Sequence, residues 1–158
     1  MSPRGSRRSA GILLHRRRGD RLEVLLVHPG GPLWARRDDG AWSIPKGEYD
    51  EGEEPLAAAR REFEEELGSA PPADDAAELG EVRQKSGKFV RAWAIAGELD
   101  PATVVSNTFE LEWPPRSGRR IEVPEVDRAE WFALDAARAK INPAQVALLD
   151  RLARLVAG

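Results

Sequence analysis

The chain has 158 residues, 24 basic and 27 acidic, with a net charge of −3, no cysteine, and His15 and His28 as its only histidines. That length suits one domain and can bury about two-thirds of the surface an unfolded chain exposes. The composition excludes disulfides, thiolate zinc sites, iron–sulfur clusters, a cysteine nucleophile and a three-histidine metal site, so a metal must be held mainly by oxygen.

Residues 1–8 are small, polar and basic and are expected to form a flexible tail, with residues 9–158 as a single domain. No run approaches the ~18 apolar residues of a membrane-spanning helix, and no signal-type apolar segment follows the tail, so a soluble cytoplasmic protein is expected. Two β-type runs, 10–15 and 22–28, are joined by Arg17-Arg18-Gly19-Asp20, which reads as a hairpin turn. Pro29-Gly30-Gly31-Pro32 opens a loop to about Gly40, and a short extended piece at 41–44 leads into Pro45-Lys46-Gly47. Residues 55–67 predict a helix: Pro55 suits its first turn, Ala57 to Ala59 favour it, and Gly68 suits its end. Leu56, Ala59, Phe63 and Leu67 would be its buried stripe. After a loop at 69–77, strands are expected at 79–84, 89–96, 108–113 and 128–132, with a loop at 114–118. A short helix at 135–140 and a terminal helix at 143–156, with Val146, Leu149, Ala153 and Val156 inward, complete the chain. Strands on both sides of a central helix predict an α/β layered fold with a mixed sheet.

The chemical signal lies between Gly47 and Gly68. Nine carboxylates against two arginines give this stretch a local charge of −7. Glu62, Glu65 and Glu66 fall at helical spacings i, i+3 and i+4, which puts three carboxylates on one face beside the apolar stripe. Like charges so placed repel, and a hard divalent cation such as Mg²⁺, which takes oxygen ligands, would relieve them. Alone, the triad also fits a solvated helix face.

The spacing of the whole stretch decides between these. Gly47, Glu53, Arg61-Glu62, Phe63, Glu65-Glu66 and Gly68 resemble the Nudix box, G-x5-E-x7-R-E-U-x-E-E-x-G-U with U bulky and apolar. Seven identities at fixed offsets would arise by chance with a probability on the order of 10⁻⁸, so coincidence is negligible. Ser69 departs from the pattern, standing where the family has an aliphatic residue, and looser packing is expected at that helix end. Trp42-Ser43-Ile44-Pro45-Lys46-Gly47 is similar to the W-x-x-P-K-G lead-in of diadenosine polyphosphate and diphosphoinositol polyphosphate hydrolases. Glu130-Trp131-Phe132 resembles the family's last strand.

The resemblance implies the Nudix fold, an α/β/α sandwich whose box is a loop–helix–loop. It also implies hydrolysis of a pyrophosphate bond in a nucleoside diphosphate derivative, with Mg²⁺ as cofactor and Mn²⁺ able to substitute. Such a substrate is polyanionic and repels hydroxide, so positive charge must neutralise it while a water is made nucleophilic. By the resemblance Glu62, Glu65, Glu66 and the Gly47 carbonyl would be metal ligands, and Glu53 and Arg61 would form an ion pair fixing the loop to the helix. Contact between Arg61 and substrate is the alternative. Several members place a further glutamate six residues before the tryptophan of the last strand. Here that is Glu125, the chosen additional ligand or general base, with Glu110 and Glu112 in reserve.

For substrate binding, Lys46 could contact phosphate as a point charge. Of the five tryptophans, Trp34 and Trp113 border loops and could stack a base, while Trp42, Trp93 and Trp131 suit the core. Arg116, Arg119 and Arg120 could hold distal phosphates. A dinucleoside polyphosphate is the expected substrate class. The competing function is a catalytically idle nucleotide-sensing module, which the intact Glu62/Glu65/Glu66 set argues against. A nucleic-acid partner is not expected, because the chain beyond its basic start is net acidic, and either a monomer or a homodimer fits.

Overall fold

Strand β1 (Arg8–Arg18) is the spine of the sheet, and the computed structural model, which describes residues 7–157, shows why its sequence is so apolar. Ala10, Ile12, Leu13 and Leu14 are fully buried because both faces of β1 are covered. A two-residue turn, with Gly19 at φ +62°, leads to β2 (Arg21–Pro29). The basic segment expected at 1–8 lies outside the described residues as far as Ser6, and β1 begins at Arg8.

The sheet orders its strands β4 (Ala77–Arg83), β5 (Phe89–Ala96), β1, β2 and β8 (Val126–Ala133). β5 runs parallel to β1 and the other pairings are antiparallel, so the sheet is mixed as expected. β1 and β2 pair only at their turn end, from His15–Val24 to Arg18–Arg21, and then splay. Residues 42–48 fill the wedge. Ser43 bridges Val27, the Ile12 N–H donates to the Pro45 carbonyl (3.1 Å), and β3 (Lys46–Glu48) pairs with Ser9–Gly11. Gly11 permits this approach, since a Cβ there would meet the Pro45 carbonyl oxygen and the Ile44 side chain.

Helix α1 (Pro55–Leu67) covers one face, burying Ala58, Ala59, Phe63 and Leu67 against Ala10, Ile12, Leu14, Leu25, Trp93 and Ile95. Each large side chain so buried contributes about 1.5–3 kcal/mol. The opposite face carries α2 (Leu134–Lys140) and α3 (Val146–Ala157), with Leu148, Leu149 and Leu152 against Leu13, Val24, Leu26, Trp42 and Ile44. This is the expected sandwich of a mixed sheet between helices.

Four details differ from the sequence reading. β3 was expected only as part of an irregular lead-in; its three residues form a strand because the splayed edge of β1 supplies partners. The terminal helix starts as a 3-10 turn at Pro143–Gln145, capped by the Asn142 side chain, which accepts from the Ala144 N–H (2.9 Å). Its buried stripe is Leu148, Leu149 and Leu152, rotated from the expected one, because the sheet meets that side. Finally, β6 (Thr108–Glu112) pairs with an unforeseen strand, β7 (Arg120–Pro124), as a two-stranded hairpin outside the main sheet. Charged residues at every second position of β7 hid it from a search for apolar runs.

Candidate active site

Helix α1 is capped at both ends, by a side chain at its start and by backbone at its end. Glu54 accepts from the Ala57 N–H (2.8 Å) at the start, and Gly68 closes the end at φ +84° with its N–H on the Glu64 carbonyl (2.8 Å). The burial of Phe63 and Leu67 fixes the helix's rotation, so Glu62 and Glu66 face the β3 side, with Glu62 only 9% exposed. A Cβ at Gly47 would overlap the Glu62 carboxylate, so a larger residue there would displace that group from the β3 backbone. Next to it, Glu66 accepts from the Lys46 N–H (3.2 Å).

Burial and crowding raise the proton affinity of these groups. Desolvation first, and Glu65 second, push Glu62 up to about 7. Desolvation also pushes Glu66 up to about 8, against the opposing pull of Lys46. Desolvation lowers Lys46, whose ammonium faces Glu66, Glu48 and Glu62 but also Lys88. The site therefore holds carboxylates under electrostatic stress, next to an amine that is itself costly to charge.

Arg61 and Glu125 complete the arrangement. The Arg61 guanidinium donates to both Glu53 oxygens (3.1 and 3.2 Å), which ties the loop to the helix, and also reaches Glu62 (3.1 Å) and Glu65 (3.4 Å). It thus supplies positive charge to the acidic face. Glu125 arrives from the junction of β7 and β8. Its N–H donates to the Asn107 carbonyl (2.8 Å), and the Asn107 N–H donates to the Glu65 carbonyl (2.9 Å). Glu125 is raised by desolvation and by Glu65, and it in turn raises Glu62 and Glu66. Four carboxylates from two separate elements thus share one electrostatic field. Among the described residues, no three acidic or histidine side chains stand close enough to enclose a metal ion. The donor set is all oxygen, and its glycine-lined approach and the repulsion that Arg61 and Lys46 only partly offset suit a hard divalent cation.

The candidate substrate residues are more scattered. Trp34 lies in the 30–40 loop, 36% exposed, with the Arg37 guanidinium 5.5 Å from its ring. Trp113, Arg116 and Arg119 occupy the far end of the β6–β7 hairpin, six or more residues from Asn107, or up to about 20 Å along the strand. They are not brought to the carboxylates. Glu110 and Glu112 are engaged within the hairpin, Glu110 with Arg120 (3.6 Å) and Glu112 accepting from the Gly118 N–H (3.1 Å). Trp42 and Trp93 are buried, and Trp131 is half-buried with Arg16 4.0 Å over its ring.

Two features of the site escaped the sequence reading. Asn107 bridges α1 to Glu125 through its backbone, and backbone bonding leaves no mark on residue type. His28 is fully buried, its Nε2 donating to the Arg37 carbonyl (2.6 Å) and its Nδ1 3.0 Å from Asp127, so it anchors the Trp34 loop to β8. A polar residue ending an otherwise apolar strand was the available signal.

A profile of the NUDIX domain matches residues 5–152, and the chain belongs to the Nudix family. An octanoyltransferase of Myxococcus xanthus is 30% identical over 136 residues, covering 85% of this chain and 33% of that one. An RNA pyrophosphohydrolase of Bartonella henselae is 41% identical over 66 residues, 39% of this chain and 35% of the relative. The chain thus spans about a third of the length of these curated relatives. Among solved structures, the C. elegans Ap4A hydrolase binary complex matches with a TM-score of 0.65 at 22% identity, covering 96% of this chain and 98% of that one. The NUDIX domain of Shewanella oneidensis NrtR, complexed with ADP ribose, matches at 0.64 and 16% identity over 94% and 87%. These likenesses agree with the fold described above. No helix of the described residues is long and apolar enough to cross a membrane.

Proposed function

We propose that this chain hydrolyses a pyrophosphate bond in a nucleoside diphosphate derivative, with Mg²⁺ or Mn²⁺ as cofactor and a dinucleoside polyphosphate as the substrate class. The observation that supports this reading is the packing of Glu62 against Gly47 and the bonding of Glu66 to the Lys46 N–H, with Glu125 tied to the same helix through Asn107. A pure binding module would gain nothing from four mutually repelling carboxylates.

Glu62, Glu65, Glu66, Glu125 and the Gly47 carbonyl would hold the cation, which when bound neutralises phosphate charge and makes water a better acid. Glu125, held beside the helix through Asn107, is either the further ligand or the base that accepts the proton of the attacking water. Lys46, poorly solvated and close to the carboxylates, meets a phosphate oxygen as a point charge. Arg61 and Glu53 hold the loop in register, so that Gly47 stays against Glu62. Trp34 stacks a base, while Trp113, Arg116 and Arg119 meet only the distal part of a long substrate.

A panel of diadenosine tetraphosphate, ADP-ribose, ATP and 5′-triphosphorylated RNA with Mg²⁺ tests the reading by release of mononucleotide or phosphate. The RNA member is included because the Bartonella relative is an RNA pyrophosphohydrolase. Turnover of at least one member is expected, with Glu65→Gln lowering kcat about 10²–10⁴-fold. Absence of turnover throughout, or an equal rate in the variant, would contradict it.

A further inference from the structure

The β6–β7 hairpin is two-faced. Its register pairs Phe109 with Val123 and Leu111 with Ile121, so these four side chains share one face, and Glu110, Glu112, Glu122 and Arg120 share the other. The apolar face is not closed: Phe109 is 43% and Ile121 37% exposed, although Val123 is buried at 5%. An isolated two-stranded ribbon gains little from such exposure, so the face is built to receive something.

Its position identifies the occupant. The root of the hairpin is bonded to the carboxylate helix through Asn107, and Glu125 follows directly after β7. Phe109 is two residues, about 7 Å along the strand, from Asn107, whose N–H is bonded to the backbone of the carboxylate helix at Glu65. The Trp34 loop crosses the same end. A Cβ at Gly31 would stand 3.6 Å from the Val123 side chain, and the Trp34 N–H donates to the Gly31 carbonyl (3.2 Å). Charge agrees as well, since three glutamates line the face turned away, while Arg37 stands over Trp34.

We propose that Phe109, with Ile121 beside it, forms the shelf on which the base of a nucleoside polyphosphate stacks. The inference rests on the proposed reaction for its choice of ligand and extends it to a specificity residue that base composition alone did not suggest. Stacking on one aromatic ring tolerates any base, so the shelf selects nucleotides over inorganic polyphosphates without selecting among bases.

Calorimetric binding of ADP and of inorganic tripolyphosphate, each with Mg²⁺, tests it without requiring turnover. Phe109→Ala is expected to weaken ADP about tenfold and to leave tripolyphosphate unchanged, with Phe109→Trp restoring ADP binding. Because Phe109 is exposed, both variants should keep the parent melting temperature. No ADP binding by the parent chain, equal ADP affinity in Phe109→Ala, or equal weakening of both ligands would overturn the shelf. A dimer that becomes monomeric in Phe109→Ala while ADP affinity stays constant would assign the face to a second copy instead. Selective loss of ADP binding in a chain that hydrolyses nothing would keep the shelf and remove the reaction.

Discussion

The box between Gly47 and Gly68 and the hairpin between Thr108 and Pro124 each carry a phenylalanine, and the two rings have opposite fates. Phe63 is fully buried between α1 and the sheet, and its burial turns Glu62 and Glu66 toward β3. Phe109 stands 43% exposed on a ribbon that touches the helix only at its root. Where chemistry requires carboxylates at set distances, packing must be rigid and the residue spacing becomes invariant. Where a surface only has to offer an aromatic face, many sequences serve, and no fixed spacing results.

The comparison predicts unequal costs. The largest stability effect belongs to Phe63→Ala, which should lose about 3–5 kcal/mol in denaturant unfolding through the cavity it leaves. Phe109→Ala should stay within about 0.5 kcal/mol of the parent in the same assay. Equal losses would mean that the hairpin is part of the core rather than an arm attached to it. A small effect on stability is expected for Glu53→Gln as well. Its half-exposed pair with Arg61 contributes at most about 1 kcal/mol to stability, so the variant should fold normally and be impaired mainly in catalysis. A stability loss several times larger, with the catalytic rate unchanged, would recast the pair as a structural clamp without a role in the site.

The same contrast explains what could be read from residues alone. The α1 span, its Pro55 start, its Gly68 end and its inward Phe63 follow from propensity and 3.6-residue periodicity, and the helix has those bounds. The apolar runs of β1, β2 and β5 mark strands buried on both faces, and they form the middle of the sheet. Membership of the Nudix family follows from seven residues at fixed offsets, because metal-dependent chemistry leaves little freedom in spacing. By contrast, β7 alternates charge with aliphatic residues and presents no continuous run. Asn107 acts through its backbone alone. The value of β3 depends on a splay between β1 and β2 that only three-dimensional pairing creates. Phe109 was legible as part of a strand, but its exposure was not, since exposure depends on the hairpin standing apart from the sheet.

The carboxylate cluster is the central claim, and its proton affinities supply the sharpest test. Glu62, raised to about 7, and Glu66, raised to about 8, favour the protonated form when folded. Their stabilising share is complete below the ordinary carboxylate range near 4.5 and is lost as pH climbs through 7 and 8. The metal-free protein should therefore melt at a lower temperature at pH 8.5 than at pH 6. A divalent cation binds the ionised form and should reverse that loss, so the decisive measurement is the melting temperature with and without Mn²⁺ at both pH values, in the parent and in Glu66→Gln. The account predicts a larger Mn²⁺-induced rise at pH 8.5 than at pH 6, sharply reduced in Glu66→Gln. A rise independent of pH, or one of equal size in the variant, would contradict it.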